Sequence, residues 1–171
     1  EASDVANAVL DGADALMLSG ETSVGHYPIE TVETMARIIC TVEAGSADHL
    51  PPLRGRPSST PGAICESAAR VGTIVGAKFL VAFTETGRTP TVLARYRSSV
   101  PLLAFTPEAQ VRNQLSLTWG VESFLVDPVT HTDHMVRQVE AKLLELDRCA
   151  VGDHITIVAG TGAAGFNGDG L

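Results

Sequence analysis

The sequence predicts an α/β chain whose main part is a mostly parallel sheet covered by helices. Three observations carry this. From residue 60 onward, short apolar runs of strand length alternate with segments of helical periodicity, the pattern of strands joined by helical crossovers. The runs are continuously apolar, as in Phe79-Leu80-Val81-Ala82-Phe83, which suits strands buried on both faces. Helix starts carry Thr-Pro, or Thr with an acidic residue nearby, which is consistent cap chemistry.

In chain order, a short helix is expected over 4–11, with Val5, Ala8 and Val9 on one face. Ser3-Asp4 would cap its start, and Gly12 stands where a left-handed residue ends a helix. Ala15-Leu16-Met17-Leu18 reads as a buried strand, followed by a polar loop over 19–25. Pro28 and Glu30 open a longer helix with Ile29, Val32, Met35, Ala36, Ile39 and Val42 as its apolar stripe. This is one unit of a parallel sheet or barrel, placed in a first domain at 1–45. Residues 46–59 hold Pro51, Pro52 and Pro57 without periodicity and read as a linker. The second domain, 60–171, is expected to run as follows: a helix to about 75 capped by Thr60-Pro61, a strand at 79–83, and a helix from Thr89-Pro90 to about 97. A strand at 102–105 and a helix from Thr106-Pro107-Glu108 to about 118 come next. A strand at 121–126, a helix at 132–147, a strand at 154–159 and a glycine-rich tail complete it.

Composition limits the function classes. An apolar fraction of 44% over 171 residues supports a real core, and 19% charged residues with mean hydropathy +0.17 argue against disorder. The apolar runs fall far short of the ~20 residues a membrane span needs. No basic, apolar and small-residue succession marks a leader. Cys40, Cys65 and Cys149 are odd in number and far apart, which predicts reduced thiols and a cytoplasmic setting. The net charge of -8 repels polyanions, so neither nucleic acid nor a membrane surface is an expected partner. A small phosphate is not excluded, because a local arginine and backbone amides outweigh a distant net charge. The chain opens on Glu1 and a helix cap, which predicts that it is the back end of a longer polypeptide.

Three segments are candidates for chemistry. Thr84-Glu85-Thr86-Gly87-Arg88-Thr89 follows a buried strand and enters a helix, the place where open α/β sheets bind ligands. Its hydroxyls, its glycine and one guanidinium suit a phosphate; the same residues also suit a plain helix cap, and spacing leaves both readings open. The tail, with Gly160, Gly162 and Gly165, could close over a ligand, but it carries no dinucleotide fingerprint, and a glycine-rich terminus is more often flexible than functional. Ser19-Gly20-Glu21-Thr22 pairs a carboxylate with hydroxyls, suited to proton transfer or to loop capping. His131-Thr132-Asp133-His134 has no third ligand near it in sequence, so no metal site is expected.

The run from Glu1 to Pro28 resembles pyruvate kinase. Ser3-Asp4-Val5-Ala6-Asn7-Ala8-Val9-Leu10-Asp11-Gly12-Ala13-Asp14-Ala15, Met17-Leu18-Ser19-Gly20-Glu21-Thr22 and Gly25-His26-Tyr27-Pro28 are similar to the end of that family's catalytic barrel. Phe83-Thr84-Glu85-Thr86-Gly87-Arg88-Thr89, Ala94-Arg95-Tyr96-Arg97, Pro101-Leu102-Leu103-Ala104-Phe105-Thr106 and Trp119-Gly120-Val121 resemble its C-terminal regulatory domain in order and spacing. The implied fold is the last β/α unit of a (β/α)8, or TIM, barrel followed by the parallel α/β regulatory domain.

The resemblance implies phosphoryl transfer from phosphoenolpyruvate to ADP, giving pyruvate and ATP, with Mg2+ and K+ as cofactors and a homotetramer as the assembly. Ser19 matches a serine near the substrate that helps protonate the enolpyruvate, with Glu21 and Thr22 beside it. Thr84, Thr86, Gly87, Arg88 and Thr89, with Gly162 and Gly165 of the tail, would bind an allosteric sugar-phosphate or nucleotide effector. Glu85 stands where some bisphosphate-responsive members carry lysine, which favours a monophosphate. The tail lacks the family's usual Thr-Asn pair. The family's catalytic lysine and metal-binding carboxylates have no match here, so this stretch alone is expected to be inactive. The alternative is a free-standing effector-binding module; a dehydrogenase-type nucleotide fragment is disfavoured by the missing fingerprint.

Overall fold

The structure, a computed structural model, describes residues 2–46, 57, 59–129 and 131–159. It divides into two compact units, Glu1–Leu53 and Arg54–Leu171.

The first unit is helical. Helix α1 (Ala2–Leu10) packs on α3 (Pro28–Ser46), with the single turn α2 (Gly20–Ser23) between them in sequence. α1 ends as its sequence implies: Gly12 has φ +91°, and the amides of Gly12 and Ala13 donate to Val9 and Ala8 carbonyls at 3.1 and 2.9 Å. That pair of reversed bonds satisfies carbonyls a helix end leaves open. Ser3 lies within α1 rather than capping it. A larger correction concerns residues 15–18, which form no strand; Met17 is 89% exposed. A strand needs hydrogen-bonding neighbours, and every strand described lies in the second unit. The α3 stripe is only half realised, with Met35, Ile39 and Val42 half-buried but Ile29, Val32 and Ala36 exposed. Among the described residues of this unit only Val9 is fully buried.

The second unit is the expected parallel sheet. Its strands β1 (Phe79–Phe83), β2 (Leu102–Thr106), β3 (Val121–Leu125) and β4 (Ile155–Ala159) lie in the order β3-β2-β1-β4, every pair parallel. β1 and β2 are central and buried at every position, which is why their sequences are unbroken apolar runs. One face packs Leu80, Ala82 and Leu102 against Cys65 and Ala69 of α4 (Thr60–Ile74) and Leu93 of α5 (Arg88–Ala94). The other packs Phe79, Val81, Leu103 and Phe105 against Met135, Val139 and Leu143 of α7 (Thr132–Glu145). Helix α6 (Ala109–Leu115) lies between β2 and β3 in sequence and contacts both.

The caps differ from expectation by one or two residues, and α5 too is capped by Gly87 rather than by Thr89. Ser59, not Thr60, caps α4, its hydroxyl accepting from the Gly62 amide at 3.3 Å. His131 occupies the cap position of α7, one residue before Thr132. Thr106 does not cap α6 directly; its hydroxyl accepts from the Glu108 amide at 3.2 Å, and Glu108 holds the cap position. Because all four strands are parallel, their carboxyl ends share one edge. At that edge Phe83, Phe105 and Phe124 stand in register on adjacent strands, ring centroids 5.6 and 5.2 Å apart.

Candidate effector-binding edge

The loop from β1 to α5 is shaped by its own backbone. Gly87 adopts φ +77°, the left-handed region, and its amide donates to Thr84 Oγ1 at 2.9 Å. The Gly87 carbonyl accepts from the Thr91 amide at 3.2 Å and from Thr91 Oγ1 at 2.9 Å, which fastens the loop to α5. A Cβ at Gly87 would stand 3.3 Å from Val111 Cγ1, so glycine also permits the loop's close approach to α6.

This geometry divides the predicted loop between two hollows. Thr84, Glu85, Thr86 and Thr89 line a hollow of about 160 Å3 that also meets Asp127 and Met135. Thr86, Gly87 and Arg88 line a second one of about 420 Å3, between the start of α4, α5 and α6. Thr86 thus belongs to both, whereas Arg88 lines only the larger. Thr84 Oγ1 is engaged in closing the loop, while the Thr86 and Thr89 hydroxyls make no hydrogen bond to the described residues. Those two hydroxyls are therefore available to an anion. Glu85 and Asp127 put two carboxylates at the smaller hollow, which opposes a second phosphate there. The Asp127 loop is held from α7, where Gln138 Nε2 donates to the Asp127 carbonyl at 3.1 Å. Gly162 and Gly165 lie outside the described residues.

The other candidate trio gathers in one turn of the first unit. Ser19 stands at the cap position of α2, its amide donating to Glu21 Oε2 at 2.9 Å, and Thr22 Oγ1 donates to the Ser19 carbonyl at 3.2 Å. Hydrogen bonds from the amides of Glu21 itself and of Ser19 hold the Glu21 carboxyl below its ordinary value. It is an exposed, ionised carboxylate beside an exposed serine hydroxyl. Among the described residues no group of three or more His, Cys, Asp or Glu side chains could hold a metal ion. No helix of the described residues is long and apolar enough to cross a membrane.

Sequence reasoning missed Arg95, Gln114 and Thr118 in the larger hollow and Asp127 in the smaller. Arg95 carried a signal, since it follows Arg88 by two helical turns and so shares its face. Asp127 carried a weaker one, the first polar residue after a strand.

The fold and this edge define an open parallel α/β domain with ligand hollows at the carboxyl ends of its strands. The pyruvate kinase alpha/beta-domain family matches residues 62–168, and the pyruvate kinase barrel-domain family matches residues 1–32. The chain belongs to the pyruvate kinase family. It is 56% identical over 160 residues to a pyruvate kinase of Mycobacterium tuberculosis and 37% identical over 166 to one of Eimeria tenella, covering 94% of this chain in each case. A crystal structure of a pyruvate kinase from Cryptosporidium parvum superposes with a TM-score of 0.83 at 31% identity, over 95% of this chain and 34% of the other. A Cryptosporidium parvum pyruvate kinase in complex with ADP gives 0.74 at 32% identity, over 93% of this chain and 33% of that one. The chain spans 34% of the length of the mycobacterial relative.

Proposed function

We propose that this chain is the C-terminal part of a cytoplasmic pyruvate kinase, a homotetramer in which this portion binds a phosphorylated effector and the whole enzyme transfers phosphoryl from phosphoenolpyruvate to ADP. Membership of the family supports the activity of the whole protein. The single observation that carries the effector role is the 84–89 loop, built on a buried strand, closed by the Thr84–Gly87 bond and left with open hydroxyls at Thr86 and Thr89. In this reading those hydroxyls and loop amides donate to a phosphate. Arg88 adds the loop's only full positive charge, an attraction that acts over several ångströms without contact.

Ser19, Glu21 and Thr22 would face the substrate of the whole enzyme, Ser19 helping to deliver a proton to the enolpyruvate once its phosphoryl group has left for ADP. Mg2+ and K+ belong to that whole enzyme, with most of their ligands expected outside this chain. The free-standing effector module gains no support from the comparisons, in which both family matches belong to one enzyme.

Calorimetric titration tests the effector role, using AMP and glucose 6-phosphate as monophosphates and fructose 1,6-bisphosphate as the bisphosphate. Thr89→Ala removes an open hydroxyl without breaking a described bond and is expected to weaken the monophosphate that binds the smaller hollow roughly ten- to a hundredfold, the loss of one hydrogen bond to a charged group. Unchanged affinity in Thr89→Ala for every ligand would leave the loop as a helix cap.

A further inference from the structure

The turn that carries Ser19 grips that residue by its backbone and leaves its side chain open. The Ser19 amide donates to Glu21 Oε2 at 2.9 Å. Its carbonyl accepts from Thr22 Oγ1 at 3.2 Å and from the Ser23 amide at 3.1 Å. The Ser19 hydroxyl is exposed and makes no hydrogen bond to the described residues. A residue fixed through both of its backbone polar groups presents its side chain in a defined direction, which a proton-delivering hydroxyl needs.

The Glu21 carboxylate is already committed to that grip. Two amides, its own and that of Ser19, bond to it and favour its ionised form. An ionised carboxylate only accepts hydrogen bonds and has no proton to give. Gly25 then shapes the end of the turn. The Val24 amide donates to the Gly20 carbonyl at 3.1 Å, and the chain passes so near Glu21 that a Cβ on Gly25 would stand 2.8 Å from the Glu21 carbonyl carbon and closer still to its oxygen. That obstacle is backbone and cannot rotate away, so a side chain at 25 displaces Glu21 and with it the bond to Ser19. A Cβ on Gly20, in the same turn, would meet nothing within 4 Å.

We propose that Glu21 and Gly25 are positioning residues: the Glu21 carboxylate fixes the direction of Ser19 through its amide, and Gly25 lets the turn close tightly enough to place that carboxylate. These roles rest on the reading that Ser19 serves the enolpyruvate, but the grip itself is a property of this chain and is measurable without activity.

Nuclear magnetic resonance on the 171-residue chain reads the grip. The Ser19 amide shift is expected to titrate with the Glu21 carboxylate, below the ordinary glutamate range, and to lose that titration in Glu21→Gln. Gly25→Ala should lose it too, while Gly20→Ala keeps it. In the longer polypeptide that carries this chain and a complete barrel, Glu21→Ala should lower kcat about ten- to a hundredfold and leave KM for phosphoenolpyruvate within about threefold. Glu21→Gln keeps an acceptor oxygen for the Ser19 amide and should recover most of that loss, with the pH profile of kcat unchanged in shape. A proton donor at 21 would instead make Gln as damaging as Ala and remove a limb of the profile, and either result would overturn the proposal. So would a Ser19 amide that ignores Glu21 in the parent, or one that Gly25→Ala leaves unchanged. Full activity in Ser19→Ala, or a longer polypeptide that forms no pyruvate, would overturn the reading of Ser19 itself and these roles with it.

Discussion

At the scale of single residues, the loop proposed to bind an effector depends on one backbone angle. Gly87 at φ +77° lets its amide reach back to Thr84 and turns the chain toward α6, and that turn sends Thr89 and Arg88 to different hollows. Gly87→Ala forces a Cβ into the left-handed region, at a cost of about 1–2 kcal/mol, and against Val111. The expected outcome is a lower midpoint in thermal denaturation together with weaker phosphate binding. Charge is the second lever. Arg88→Ala is expected to weaken phosphate binding about two- to threefold at low ionic strength, and less as salt is added, since its charge attracts the phosphate without touching it. Glu85→Lys should strengthen binding of a bisphosphate by replacing repulsion with attraction, as calorimetry would show; an unchanged or weaker bisphosphate affinity would mean Glu85 does not set this preference. The position of this loop was legible in the sequence, because a buried strand, a short polar stretch with glycine and a helix start occur in that order. Its division was not, because the direction of Arg88 depends on α6, which is distant in sequence.

At the scale of elements, the strands were read almost to the residue. β1 and β2 are buried on both faces, so burial itself writes an unbroken apolar run. Cap positions slipped by one where neighbouring residues both offer side-chain acceptors, as at Ser59 and Thr60. The strand expected at 15–18 failed for a different reason: an apolar run specifies burial, and a strand exists only where a partner strand supplies its hydrogen bonds. Packing between elements yields a further prediction. α4 lies so close to the sheet that a Cβ on Gly72 would stand 2.6 Å from Leu80 Cδ2. Gly72→Ala should therefore destabilise the α/β unit by about 1–3 kcal/mol through overpacking, measured as a shift in the denaturant midpoint. β4 is fastened at its start by Lys78, whose amide donates to the His154 carbonyl at 2.7 Å and whose Nζ meets Asp153 Oδ2 at 2.8 Å. The hydrogen bond to Lys78, with one from the Ala150 amide, lowers the Asp153 carboxyl, and the bond to Asp153 raises Lys78. Both shifts favour the charged pair in the folded chain. Its contribution is present in full between the ordinary aspartate and lysine values and fades as pH falls through the lowered carboxylate value or rises through the raised ammonium value. The stability difference between the parent and Asp153→Asn should accordingly shrink in acid.

At the scale of the whole molecule, the two units differ in how much apolar surface they bury. The α/β unit sandwiches a parallel sheet between two buried clusters, Leu80 and Leu93 on one face and Val81 and Phe105 on the other. The first unit keeps Met17, Tyr27, Ile29 and Val32 exposed, and the amides of 15–18 donate to none of the described residues. Family membership supplies the reason: residues 1–32 match a barrel domain, and a (β/α)8 barrel takes about 250 residues to close. A segment whose apolar face and strand edges are meant for the rest of a barrel opens at low free-energy cost when only this chain is present. Hydrogen exchange followed by mass spectrometry on the 171-residue chain is expected to show rapid exchange at 15–18 and strong protection at 79–83, where β1 is bonded on both sides. Protection should rise at 15–18, and not change at 79–83, when the same residues are measured within a longer polypeptide that supplies a complete barrel. Equal protection of the two segments in the isolated chain would mean that the first unit has found a packing of its own, and that its exposed apolar side chains are not waiting for a partner.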